Sequence, residues 1–245
     1  MGLIVKFCIG ILASVLVWLP VQADEALGQK ALAQNADVNL GALSTALKPQ
    51  GAVRGEFEQT RTLKALKRPL VSRGSFVFSP EQGLMWAQNQ PFENLLILSE
   101  RRMLSRDSEG LWQQTEVDAK AGPATLMPML VKAMMGGDVA TLEQHFSLAL
   151  SVTDNSWQLN LSPKDSDIKA LFAAIELEGT FVSEASPEGA ETRTNKASTN
   201  NASTDRLKLI SPNGDVSDIR FSNQQSGPLS EQERQTFSPQ IELGQ

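Results

Sequence analysis

One histidine, His145, and one cysteine, Cys8, narrow the chemistry open to this chain. Zinc sites draw three or four ligands mainly from those two residue types, so no such centre is expected. His145 precedes Phe146 at the edge of an expected strand, nothing local orients its ring, and Gly-x-Ser-x-Gly is absent. That leaves no Ser-His-Asp arrangement and makes His145 structural or solvent-facing. Asp165 and Asp167 are spaced like calcium ligands, but no glycine and terminal glutamate complete a loop. Glu56 and Glu58 share one side of a strand like a glycosidase pair, though two carboxylates on a wet strand face is the simpler reading. Gly-x-Gly-x-x-Gly and Walker-type loops are missing. The expectation is a protein that is not an enzyme and uses no metal and no cofactor.

The sequence instead supplies apolar surface. Expected strands offer Phe57, Phe76, Phe78, Trp86, Phe92, Leu96 and Leu98, and an expected helix offers Met127, Met129, Leu130, Met134 and Met135. Methionine is unbranched and adapts its shape, which suits a pocket for acyl chains of varying form. The same residues also fit a filled core, which composition alone favours.

The elements that must position them follow from periodicity. Asp24 to Lys48 has apolar residues near a helical period and stops at Pro49-Gln50-Gly51. Short strands are expected at Val53–Arg61, Val71–Phe78, Gly83–Ala87, Asn94–Ser99, Arg102–Arg106 and Leu111–Val117, at a spacing that predicts an antiparallel meander. Pro123 to Met135 reads as a helix that Pro128 kinks or delays, followed by a helical turn or short helix over Asp138–Gln144. Strands resume at Phe146, at Trp157-Leu159-Leu161, and at Ala174–Val182 after an ambiguous start from Ile168. A last pair, Arg206–Ile210 and Val216–Phe221, flanks the turn Pro212-Asn213-Gly214-Asp215. Between them, residues 184–205 carry a repeated Asn-x-Ala-Ser-Thr unit with no large apolar side chain, and are expected to be a mobile loop. Beyond Gln224 the chain is polar, with Phe237 able to dock a terminal strand.

Residues 1–23 read as a signal peptide. Lys6 precedes an apolar run of 13 residues, Phe7 to Leu19, and Val21 and Ala23 sit at −3 and −1 of a cut before Asp24. The run is shorter than the roughly 20 residues of a membrane span. Removing it takes away Cys8 and one lysine, leaving residues 24–245 as one cysteine-free domain of 222 residues, with 21 basic and 28 acidic side chains. That formal charge of −7 argues against a nucleic-acid partner and against adsorption to anionic lipid.

The order of these elements resembles the LolA-type periplasmic lipoprotein carriers. Val53-Arg54-Gly55-Glu56-Phe57-Glu58-Gln59-Thr60 is similar to the family's first-strand Phe-x-Gln signature. Gly74-Ser75-Phe76-Val77-Phe78, Gly83-Leu84-Met85-Trp86, Gln90-Pro91-Phe92, Ile97-Leu98-Ser99 and the Leu111-Trp112 hairpin continue it, and Asn213-Gly214 with Ile219-Arg220-Phe221 resembles its late strand pair. The resemblance implies an α+β fold, a strongly curved, incomplete antiparallel β-barrel with helices covering its open side. It implies a monomeric periplasmic carrier of the acyl chain of a lipoprotein or lipid, working between an inner-membrane donor and an outer-membrane acceptor. The alternative is a non-carrier assembly module that binds other envelope proteins.

Carried over, the cavity would be lined by Phe57, Phe76, Phe78, Trp86, Phe92, Leu96 and Leu98, facing Met127, Leu130 and Met134. The family's lid-closing arginine is replaced by Ser79 before Pro80, which predicts a looser lid, with Arg68 the nearest alternative donor.

Overall fold

Alternating apolar and polar residues, punctuated by turns, build one antiparallel sheet from nearly all of the chain's strand-forming segments. The computed structural model describes residues 40–100, 102–116, 126–153, 155–181 and 201–239. The expected signal peptide 1–23, most of the first expected helix and residues 182–200 lie outside them. Residues 40–47 form helix α1. A first meander then runs through β1 (Ala52–Thr62), β2 (Leu70–Ser79), β3 (Gly83–Gln90), β4 (Asn94–Leu98), β5 (Arg102–Arg106) and β6 (Trp112–Glu116). Helices α2 (Leu126–Met135) and α3 (Val139–His145) lead to a second: β7 (Phe146–Thr153), β8 (Ser156–Pro163), β9 (Ala174–Phe181), β10 (Ala202–Ile210) and β11 (Val216–Gly227). Helix α4 (Ser166–Leu171) joins β8 to β9, and α5 (Glu231–Phe237) follows β11.

β11 pairs with β1 and fuses the two meanders into an 11-stranded sheet, ordered β6-β5-β4-β3-β2-β1-β11-β10-β9-β8-β7. The edge strands β6 and β7 do not pair with each other, so the barrel is incomplete, as the α+β expectation required.

Three register shifts bend this sheet, and each sets an extra polar residue opposite a glycine. Asn223 on β11 bulges across from Gly55, Asn89 on β3 across from Gly74, and Asp205 on β10 across from Gly179. A bulge sharpens local twist and brings backbones close. A Cβ on Gly74 would lie 1.9 Å from the Ala87 carbonyl oxygen, and one on Gly179 would lie 1.9 Å from that of Ser203 and 2.6 Å from the Trp157 ring. Asn223 itself has φ 52°, a left-handed conformation that asparagine tolerates better than most residues.

The bent sheet has two apolar faces. On the concave face Leu43 (α1), Leu130 (α2), Leu142 (α3) and Ile168 (α4) pack over Trp157, Leu159, Leu161, Ile175 and Leu177. On the convex face Phe237 of α5 fills a cluster with Met85, Leu95, Ile97 and Leu104. The expected terminal strand is therefore a short helix, set by a capping box: Glu233 N–H donates to Ser230 Oγ at 3.2 Å, and Ser230 N–H donates to Glu233 Oε2 at 2.6 Å. The same carboxylate ties α5 to β1, because Arg54 Nε donates to Glu233 Oε1 at 2.9 Å while its Nη2 donates to the Pro228 carbonyl at 2.8 Å.

Two expected boundaries move. Ala202 to Asp205, assigned to the loop over 184–205, open β10 by pairing with β9, Ala202 opposite Phe181 and Ser203 opposite Thr180. Their polar side chains form a small network instead of a core, with Asp205 accepting from Ser203 Oγ at 2.7 Å and Thr180 Oγ1 at 3.0 Å. β11 runs six residues beyond Phe221, because it continues pairing with β1 past the Asn223 bulge.

Hydrogen bonds from Arg54, opposed by partial burial and helped by the Ser230 N–H, bring the Glu233 carboxyl down from 4.5 to about 2. A depressed folded-state value means the carboxylate stabilises the protein above its unfolded-state value and loses that contribution as pH falls toward the folded one. Glu233→Gln is expected to cost about 1–2 kcal/mol at neutral pH. In urea titrations at a series of pH values, the gap between variant and wild type should shrink from pH 4.5 toward pH 2.

Candidate binding cavity

Inside the curve, between the sheet and α2, lies a cavity of about 630 Å³. This is within the ~300–1,000 Å³ typical of small-molecule pockets. One wall comes from the first meander: Leu84 and Trp86 of β3, Leu96 and Leu98 of β4, Met103 of β5. The facing wall comes from the second: Leu177 of β9, Leu207 and Leu209 of β10, Ile219 and Phe221 of β11. Both are read directly from register, since Trp86 pairs with Leu96, Leu84 with Leu98, and Leu207 with both Leu177 and Ile219. The cover is α2, through Leu130, Val131, Met134 and Met135, with Leu47 of α1 beside it. Polar groups gather where α1 joins β1 and where β10 begins and β11 ends: Lys48, Gln50, Asn201, Ser203, Thr204, Gln224 and Ser226. Gln224 Nε2 donates to the Thr204 carbonyl at 2.9 Å, tying two sides of this rim. Lys48 is the one charged side chain among the described lining residues.

Of the residues expected to line the cavity, Trp86, Leu96, Leu98, Leu130 and Met134 do so. Phe57, Phe76 and Phe78 do not. They are 3 %, 1 % and 1 % exposed and form the layer beneath: Phe78 packs with Leu84 and Leu98, and Phe57 and Phe76 lie under Trp86. Its ring stacks on Phe57 with centroids 3.6 Å apart, Phe76 follows at 6.4 Å, and Phe221 meets it edge-on at 6.3 Å. Phe92 is 71 % exposed in the β3–β4 turn and lies outside the site, since it falls between the strands and not on their inner face. Met127 lies in a stretch, 126–128, whose side chains are outside the described residues. The second wall is not legible in the sequence, although Arg206-Leu207-Lys208-Leu209 alternates cleanly as a strand. The alternation gave the face without showing that it would turn toward the first meander. On the outer face the charged partners pair across strands, Arg206 Nη2 with Asp218 Oδ2 at 2.6 Å and Lys208 Nζ with Glu176 Oε2 at 3.0 Å.

Ser79 is 4 % exposed, and its Oγ accepts the Glu81 and Gln82 backbone N–H groups at 3.3 and 3.2 Å. It closes its own turn and, among the described residues, makes no hydrogen bond to the cover. Arg68 is exposed at the β1–β2 hairpin tip and is not part of the cavity lining. The cover is held elsewhere: Ser44 Oγ donates to the Gly137 carbonyl at 2.7 Å, and Lys132 pairs with Glu100.

His145 does have an orienting partner, contrary to the sequence reading. Pairing of Phe146 with Pro163 brings Asp165 alongside, and its Oδ2 lies 2.8 Å from His145 Nδ1. Among the described residues no hydroxyl bonds the other ring nitrogen, and no three His, Cys, Asp or Glu side chains converge as metal ligands. Glu58 pairs with Arg73 at 2.7 Å and Glu56 accepts from Asn223 at 2.7 Å, so each carboxylate has its own partner. No helix among the described residues is long and apolar enough to cross a membrane.

This arrangement, a bent open sheet with an apolar cavity beneath a helical cover, defines a binding fold. Residues 31–203 match the family described as outer membrane lipoprotein carrier protein LolA-like, and the chain belongs to that family. No curated protein matches it. Among solved structures it is similar to the LolA superfamily protein NE2245 from Nitrosomonas europaea, at 9 % identity over 80 % of this chain and 96 % of that one, with a TM-score of 0.42. A putative outer membrane lipoprotein-sorting protein domain from Vibrio parahaemolyticus is similar at 9 % identity over 84 % and 97 %, TM-score 0.43. The Pseudomonas aeruginosa MucA/MucB complex is similar at 17 % identity over 81 % and 59 %, TM-score 0.34.

The separation of lining from support is measurable by chemical denaturation. Phe78→Ala should cost about 3–5 kcal/mol, as for a packed aromatic, whereas Leu207→Ala, half-buried against open space, should cost well under the ~2–5 kcal/mol of a packed leucine.

Proposed function

We propose that this protein is a non-catalytic periplasmic carrier that takes up the acyl part of a lipid or lipid-modified protein and releases it to an acceptor. The observation that carries the reading is the cavity itself, walled on both sides by leucine, isoleucine and aromatic side chains and covered by a Met-bearing helix. Each methylene moved there from water is worth ~0.8 kcal/mol, so a single long chain supplies on the order of 10 kcal/mol before ordering costs. Family membership supports the class of cargo. In this reading residues 1–23 are an export signal, residues 24–245 work as one monomeric unit, and membrane proteins serve as donor and acceptor. The polar end of the cargo lies at the rim, beside Lys48 and Gln224, while its chain runs under α2.

Extraction of the purified protein under denaturing conditions, followed by mass spectrometry, should recover a co-purifying acyl lipid. A fluorescent fatty acid should bind the delipidated protein and raise its melting temperature with concentration. Leu209→Trp, which places a large ring in the cavity, should abolish that binding while leaving the circular dichroism spectrum unchanged. Absence of lipid together with absence of probe binding would sink the carrier reading and leave the assembly-module alternative.

A further inference from the structure

We propose that the β1–β2 hairpin tip is a docking surface for anionic lipid bilayers. Residues 61–73 contain five cations, Arg61, Lys64, Lys67, Arg68 and Arg73, and no acid, in a chain of net charge −6. Arg73 is spent on Glu58, while the other four are exposed and make no ion pair among the described residues. The nearest acid from the adjoining β10–β11 turn is Asp215, whose Oδ1 accepts the Lys64 backbone N–H at 2.8 Å. Its carboxyl is held below the usual range first by that bond, then by Asn213, with Lys64 and Arg61 adding to it. Asp218, opposite Thr60, is already bound to Arg206. The tip therefore keeps a local positive excess.

The same tip carries Leu66, Leu70 and Val71 at 46 %, 48 % and 41 % exposure, three of the six large apolar side chains exposed among the described residues. Single exposed leucines are ordinary, but three among four free cations have the composition of an interfacial anchor. Charged stems can lie along lipid while their ends stay at the headgroups. Net negative charge does not oppose this, because charges beyond about 8–10 Å are screened at physiological ionic strength and the bilayer senses only the tip. Gln59, two residues inside Arg61 on β1, lines the cavity, so docking would set that end of the cavity toward the lipid. The inference goes beyond the carrier reading and does not need a cargo.

The test is flotation of the purified full chain with vesicles of equimolar phosphatidylcholine and phosphatidylglycerol, against phosphatidylcholine alone. Binding is expected to the anionic vesicles only, and to weaken with salt. Lys67→Ala with Arg68→Ala should reduce partitioning about 25-fold, at roughly fivefold per charge. Leu66→Ser with Leu70→Ser should reduce binding even at low salt, and Leu209→Trp should leave it unchanged. Equal binding to both vesicle types, or tip variants that bind like wild type, would overturn the proposal. Loss with Leu209→Trp would also overturn it, since uptake of lipid into the cavity would then be the cause. Tip-dependent binding to poly-glutamate without vesicle binding would reassign the surface to an acidic polypeptide.

Discussion

Everything in this molecule depends on a sheet that must bend strongly without closing. Eleven antiparallel strands left flat would expose one large apolar face, and full closure would pair β6 with β7 and leave no side for helices to cover. The compromise is written into three places where an extra Asn or Asp on one strand meets a glycine on the next. At Gly74 and Gly179 the neighbouring carbonyl occupies the space a side chain would need. The curve is thus fixed by backbone contact, and the apolar side chains then fill or line whatever interior the curve leaves.

How much is filled depends on Trp86. Its ring covers Phe57 and Phe76 and presents its other surface to the cavity, so one residue is both the lid of a packed aromatic layer and the floor of an open space. This explains why aromatic content by itself could not distinguish core from cavity. Phe76, Phe78 and Trp86 share one face of adjacent strands, yet only the ring on top of the stack meets the open volume.

The strands were largely legible because alternation survives curvature: β8 and β9 show it without interruption, and β2 through Phe76 and Phe78. The bulges were not, because an extra Asn or Asp inside a strand looks like any exposed polar residue until its partner strand is known. That is why β10 begins before Arg206 and β11 continues past Phe221, where the sequence pattern alone would place their ends. Helix α5 had a readable signal, Ser230 followed by Glu233, but its short length and single apolar residue hid it among polar neighbours. The tip of the first hairpin shows another limit. A net charge of −6 describes the whole chain but not residues 61–73, where five cations occur with no acid among them and the balancing acids lie elsewhere.

The cover brings these themes together. With Ser79 buried in its own turn, closure relies on the apolar underside of α2, on Ser44 reaching the Gly137 carbonyl, and on the exposed Lys132–Glu100 pair. An exposed ion pair contributes roughly 0–1 kcal/mol, and one part-buried hydrogen bond about 0.5–1.5 kcal/mol. Apolar contact of α2 therefore has to supply most of the seating, through Leu130, Ala133 and Met134 in the main core and through Val131 and Met135 against the Phe76–Phe78 cluster. Those are non-directional contacts that an acyl chain can replace methylene for methylene. A cover seated this way does not have to break a specific lock to admit an apolar ligand; it exchanges one set of dispersion contacts for another, and the methionines on it can reshape to follow.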